Sequence, residues 1–225
     1  MPFDQERGPG PGPGGGTHYE RAINLPPAIL WLIVINVAVQ VLRMLLGEAV
    51  DDQLVLRFGL IPAHYSGEFD DDWLSLLGAP IAYQFLHGGW VHLGVNMLSL
   101  AAFGAPVERT LGVRRFVLFY LSAGIVAGAA HVAIFSGSTD PVVGASGAIS
   151  GIFGAVLILL RRGGGLSSLL PVAGVWIAMN VFFGVVGGTP GAGDQPVAWA
   201  AHIAGFLYGL AAIRLFLPRT PQVEG

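Results

Sequence analysis

Residues 144–155 read GASGAISGIFGA, and residues 201–210 read AHIAGFLYGL. Each stretch repeats glycine at helical spacing, at Gly147, Gly151 and Gly154 in the first and at Gly205 and Gly209 in the second. Small residues spaced in this way let the backbones of two membrane helices approach closely. The two stretches therefore predict a closely packed helix pair, with Ser146 at the head of one helix and His202 in the other.

The composition of the 225-residue chain is that of a membrane protein. Apolar residues make up 53% of it and charged residues 11%, whereas a typical globular protein has about 25% charged residues. These values, with a mean hydropathy of +0.66, exclude a disordered chain, a basic nucleic-acid-binding protein and most soluble enzymes. The chain has no Cys, which excludes a disulfide framework, a thiol nucleophile and a cysteine-based metal site. We expect neither a cofactor nor a metal.

Six apolar runs are long enough to be considered as membrane helices. They cover residues 26–47, 84–106, 116–135, 146–160, 168–187 and 198–217. A spanning helix needs about 20 residues, and only the fourth run is clearly shorter. The predicted fold class is therefore an all-α membrane protein, a bundle of six transmembrane helices.

The remaining segments are polar or rich in Pro and Gly. Residues 1–22 are predicted to be a disordered tail, residues 23–218 the six-helix domain, and residues 219–225 a second tail. The acidic connection 48–80 contains Trp73 and is expected to rest on the membrane interface.

Basic and acidic residues occupy alternate connections, and this pattern predicts the orientation. The arginines of one side are Arg7, Arg21, Arg109, Arg114, Arg115, Arg161, Arg162, Arg214 and Arg219. The connections of the other side carry mostly Asp and Glu, and the chain has no Lys. The positive-inside rule then places both termini in the cytoplasm. A prokaryotic plasma membrane is the expected location.

Polar residues within the apolar runs are candidates for function, because each is costly in hydrocarbon. The four that stand out are His92, Asn96, Ser146 and His202. A rise of about 1.5 Å per residue places Ser146 roughly 22 Å, and His92 and His202 roughly 24 Å, from the arginine-rich side, with Asn96 one turn deeper than His92. Three predicted helices thus bring polar groups to one level, near the outer face of the membrane.

The acidic residues restrict the chemistry that these groups could perform. After residue 108 the acids are Asp140, Asp194 and Glu224, and none of them lies within a predicted span. A Ser-His-Asp triad is therefore disfavoured, and a Ser146–His202 dyad with His202 as general base is preferred. His92, Asn96 and the backbone N–H of Ser146 are the candidate donors to an oxyanion.

These residues resemble the rhomboid intramembrane serine proteases. The matching elements are HGGWVHLGVN at 87–96, ERTLG at 108–112, GASG at 144–147 and AHIAG at 201–205. The resemblance implies a six-helix fold, the Ser146–His202 dyad, and an oxyanion hole formed by His92, Asn96 and Ser146. It also implies that the substrates are transmembrane proteins cut in or near their membrane segments, with no nucleic acid, metal or cofactor involved.

Two features depart from the family pattern. Many rhomboids carry an aromatic residue four positions after the catalytic serine, where this chain has Ser150. The ring of His202 must therefore be held in another way. The Trp-Arg pair that some members carry in the first outer loop is also absent, since Trp73 has no adjacent arginine.

The sequence admits three other interpretations. The first is a catalytically inactive rhomboid-like protein that binds or escorts transmembrane clients, but such relatives typically lack the serine or the histidine. The second is a metal site at His87 and His92, which is disfavoured because no Cys or intramembrane carboxylate completes a ligand set. The third is a small transporter, for which the internal repeats are missing.

Overall fold

The computed structural model describes residues 25–67, 73–161, 165–186 and 198–218. Within these ranges the chain forms eight α-helices. They are α1 (Pro27–Leu46), α2 (Glu48–Phe58), α3 (Trp73–Ala82), α4 (Trp90–Leu111), α5 (Val113–Ile134), α6 (Ser146–Leu160), α7 (Leu170–Val186) and α8 (Trp199–Phe216). Short 3₁₀ turns lie at Pro62–Tyr65, Tyr83–Phe85 and Leu166–Leu169. The predicted tails 1–22 and 219–225 lie outside the described residues.

Among the described residues, five helical segments are long and apolar enough to cross a membrane. They are α1, α4, α5, α8 and Ser167–Val186, which joins the last 3₁₀ turn to α7. Helix α6 is apolar but has 15 residues, which correspond to roughly 22 Å. The chain is therefore an integral membrane protein with an all-helical architecture, and the count of six spans stays a prediction.

The second predicted span begins later than the hydropathy indicated. Helix α4 starts at Trp90 instead of residue 84, because Tyr83–Phe85 form a 3₁₀ turn and the chain is not helical from residue 86 to 89. Two glycines, Gly88 and Gly89, precede the helix, and Gly89 has a φ of 146°. The delayed start makes residues 84–89 a connection that leads into α4.

The acidic connection 48–80 contains helical structure that the sequence pattern did not predict. Helix α2 and most of α3 lie in it. Trp73 and Leu77 of α3 are more than 70% exposed, which fits an apolar surface that faces lipid rather than protein.

The most extensive helix packing in the bundle is between α6, α8 and α5. The backbones of α6 and α8 touch: a Cβ added to Gly205 would overlap the carbonyl oxygen of Gly147, and one added to Gly209 would overlap that of Gly151. A Cβ added to Gly147 would also lie 2.8 Å from the Cβ of Ala127 on α5. Glycine is therefore required along this crossing, because any side chain there would separate the helices.

A buried carboxylate joins α1 to α4. Glu108, near the end of α4, is 2% exposed. Its two carboxylate oxygens accept hydrogen bonds from the backbone N–H groups of Ala28 and Ile29, each across 2.9 Å. These donors belong to the first turn of α1, where no helical carbonyl is available to them, so Glu108 caps that helix from a neighbouring one.

Candidate active site

Ser146 and His202 meet where α6 crosses α8. Ser146 is the first residue of α6, and His202 lies in the first turn of α8. The distance from Ser146 Oγ to His202 Nε2 is 2.7 Å. This is hydrogen-bond distance, at which an imidazole can accept the proton of a serine hydroxyl as the hydroxyl attacks.

The other ring nitrogen of His202 is held by a third helix. Asn180 of α7 lies with its Oδ1 2.8 Å from His202 Nδ1. The Nδ2 of the same amide donates to the backbone carbonyl oxygen of Trp176 across 2.9 Å. Ser150, in contrast, donates its hydroxyl to the backbone carbonyl oxygen of Ser146. The hydrogen-bond partner of His202 Nδ1 is thus Asn180 rather than Ser150, which lies four positions after Ser146.

His92 borders the turn that precedes Ser146. The backbone N–H of Gly88 donates to His92 Nδ1 across 3.3 Å, so the neutral ring carries its proton on Nε2. A Cβ on Gly144 would lie 2.9 Å from that Nε2 and 3.7 Å from Ser146 Oγ. The N–H group of His92 and the hydroxyl of Ser146 therefore flank the same small space beside Gly144.

Asn96 lies one turn further along α4 and is 4% exposed. Its Nδ2 donates to the backbone carbonyl oxygen of His92 across 2.9 Å. An amide nitrogen has two hydrogens, so one donor of Asn96 remains for another acceptor. The backbone N–H of Ser146 is also unused by the helix, because the first N–H groups of a helix have no carbonyl four residues earlier within it.

The turn before Ser146 is fixed by earlier parts of the chain. Leu60 and Val142 exchange two backbone hydrogen bonds of 3.0 and 2.9 Å. The N–H of Gly144 donates to the backbone carbonyl oxygen of Tyr83 across 2.9 Å, and the hydroxyl of Tyr83 donates to the carbonyl of Gly124 on α5. Gly144 has a φ of 124°, a conformation that glycine adopts without strain.

The remaining histidines of the bundle are placed differently. His87 is 1% exposed, and its ring packs edge-on against that of His92 with centroids 5.2 Å apart. His131 of α5 stacks on Phe135. Among the described residues, no group of three or more His, Asp or Glu side chains is arranged to hold a metal ion.

Sequence reasoning missed two residues that support this site. Asn180 is a polar residue within the apolar run 168–187, and the cost of burying polar groups in lipid would have singled it out. Arg43 is the other: it lies late in α1 and is 5% exposed. A buried charge near the end of an apolar helix indicates a partner, which proves to be Asp51.

The chain is similar to proteins of a known family. Residues 76–219 match the family model of the Rhomboid domain. The chain is 35% identical over 203 residues to the rhomboid protease GluP of Bacillus subtilis, covering 87% of this chain and 36% of that protein. It is 32% identical over 175 residues to the rhomboid-type serine protease 2 of Emericella nidulans, covering 73% of this chain and 32% of that protein.

A similar relationship extends to animals. The chain is 29% identical over 218 residues to the mouse rhomboid-related protein 2, covering 87% of this chain and 66% of the mouse protein. The matches span about a third of the length of the Bacillus and Emericella proteins. The resemblance seen in the sequence is confirmed, and the chain belongs to the rhomboid family.

Proposed function

We propose that this protein is an intramembrane serine endopeptidase that cleaves the transmembrane segments of membrane-anchored proteins. Ser146 is the nucleophile and His202 the general base. The observation that carries the proposal is the 2.7 Å distance between Ser146 Oγ and His202 Nε2, held by a helix crossing that only glycine permits. The names of the relatives, several of which are called serine proteases, agree with this chemistry.

The reaction follows from the protonation of the two groups. Neutral His202 accepts the proton of the Ser146 hydroxyl as Oγ attacks the carbonyl carbon of the substrate, and the imidazolium then gives that proton to the leaving amine. Water attacks the resulting acyl-enzyme by the same route. His202 again serves as the base, and Ser146 is released.

The negative oxygen of each tetrahedral intermediate needs donors. The Nε2–H of His92 faces the space beside Gly144, and the second amide hydrogen of Asn96 and the backbone N–H of Ser146 complete the set. Donors fixed in place before the reaction are worth most, because they stabilise the developing charge without reorganising. We expect Asn96→Ala to lower kcat by about 10²-fold.

The position of the site suggests its substrate and its access to water. Six spans are proposed, with both termini cytoplasmic, so that short α6 begins below the outer surface of the membrane and Ser146 is reached by water from that side. A helical peptide bond in lipid is engaged in its own hydrogen bond. Substrates are therefore membrane segments that unwind readily near the scissile bond.

The experiment is cleavage of a model transmembrane substrate by the purified protein in liposomes, beside Ser146→Ala and His202→Ala. Ser150→Ala is the matched control, since it removes a hydroxyl one turn along the same helix. We expect both active-site variants to be inactive and the control to cleave normally. Cleavage at the wild-type rate by His202→Ala would refute the dyad. Failure of the wild-type protein to react at Ser146 with a fluorophosphonate would favour a client-binding, inactive rhomboid-like protein.

A further inference from the structure

Helix α7 contributes one buried residue to the bundle among those described, and that residue is polar. Asn180 is 8% exposed, whereas its neighbours on the helix, such as Val175, Phe182 and Val185, are more than half exposed. An amide in this position costs free energy unless both of its polar atoms have partners. Its partners therefore indicate why it is there.

The amide of Asn180 has a single consistent orientation. Its nitrogen faces the carbonyl oxygen of Trp176, which can only accept a hydrogen bond. Its oxygen therefore faces His202 Nδ1, and because that oxygen can only accept, Nδ1 must carry the proton. In the neutral ring this leaves the lone pair on Nε2, which is the atom 2.7 Å from Ser146 Oγ.

We infer that Asn180 is a positioning residue that sets the tautomer and the ring orientation of His202. The inference rests on the proposed function, since it assigns a role in the same reaction. It also explains what holds the histidine where many rhomboids have an aromatic residue, because the hydroxyl of Ser150 is directed to the backbone of its own helix. Asn180 performs no proton transfer itself: it keeps the base in its reactive form and gives the imidazolium a hydrogen-bond acceptor.

The test compares Asn180→Leu, which removes the acceptor at similar size, with Asn180→Asp, which keeps an acceptor oxygen. Met179→Ala is the control, because Met179 is an exposed neighbour on α7. For Asn180→Leu we expect kcat, and the rate of Ser146 labelling by a fluorophosphonate, to fall on the order of 10²-fold with KM little changed. Asn180→Asp should recover most of both rates, and Met179→Ala should match the wild type.

Two results would overturn the inference. One is wild-type turnover by Asn180→Leu while Ser146→Ala is inactive, which would leave the proposed function intact. The other is an equal loss in the Leu and Asp variants accompanied by a lower thermal unfolding midpoint, which would make Asn180 merely structural. Cleavage by Ser146→Ala itself would instead refute the proposed function, so the two failures are distinguishable.

Discussion

Arg43 donates a hydrogen bond from Nη1 to the backbone carbonyl oxygen of His87 across 2.7 Å, joining the end of α1 to the segment that leads into α4. The same guanidinium pairs with the carboxylate of Asp51 on α2, at 2.5 Å from Nε and 3.1 Å from Nη2. One side chain thus ties three parts of the chain together. Since α4 carries His92 and Asn96, this contact bears on the position of the proposed oxyanion donors.

We expect Arg43→Met to lower the free energy of unfolding by about 1–3 kcal/mol, because Asp51 loses its charge partner and the His87 carbonyl loses its donor. The Asp51 side chain is 33% exposed, so water recovers part of the loss. Thermal unfolding in detergent measures the change. Arg214→Met, at an exposed position in the last turn of α8, is the control, and equal stability of the two variants would contradict the prediction.

Removing the carboxylate of Glu108 should destabilise the bundle at the other end of α1. Glu108→Ala leaves the N–H groups of Ala28 and Ile29 buried without an acceptor, which costs about 2–4 kcal/mol for the two together. Glu108→Gln keeps one acceptor oxygen and should lose less. Thr110→Ala, at an exposed site in the same turn of α4, is the matched control. The order of unfolding midpoints, control above Gln above Ala, is the result to check.

The crossing of α6 and α8 should not tolerate a methyl group. Gly209→Ala places a Cβ that overlaps the carbonyl oxygen of Gly151. The helices must therefore separate, which costs about 1–3 kcal/mol. Separation would also lengthen the Ser146–His202 hydrogen bond and lower the cleavage rate. Gly174→Ala in α7 is the control, because a Cβ there meets no atom within 4 Å. Similar activity and stability of the two variants would contradict the close backbone contact between α6 and α8.

Gly144→Ala should impair catalysis more than stability. The new Cβ would lie 2.8 Å from His92 Cε1, and the φ of 124° is strained for alanine. The ring of His92 must move, so kcat should fall by about 10²-fold, as for loss of one oxyanion donor. Gly137→Ala, in the same connection but with open space around it, is the comparison. An unchanged kcat in purified Gly144→Ala would show that His92 is not a donor in the oxyanion hole.

The helices and the serine–histidine pair could be predicted because membrane burial imposes strong sequence patterns. The run 146–160 coincides with α6, and 198–217 differs from α8 by one residue at each end. Matched depth and glycine spacing predict that Ser146 and His202 lie close together, and the structure places them in hydrogen-bond contact. Depth along a helix and glycine spacing on its face can both be read from the sequence of that helix alone.

What could not be predicted depends on contacts between distant residues. Helix α2 has no buried residue of its own, and one of its contacts with α1 is the pair of Arg43 and Asp51. Asn180 was equally visible in the sequence, but its partner depends on how α7 rotates against α8, which hydropathy does not specify. Similarly, the cap that Glu108 provides joins residues 80 positions apart.

The backbone partners of the turn before Ser146 have a consequence for how the protein is made. Leu60 and Tyr83 both precede that turn in the chain, whereas His202 lies in the last of the described helices. Synthesis runs from the N-terminus, so both backbone partners of the turn are translated before Ser146, and His202 is translated after it. In the proposed mechanism, Ser146 of a nascent chain therefore lacks its general base. Under the proposed function, cleavage therefore becomes possible only after α8 has inserted beside α6.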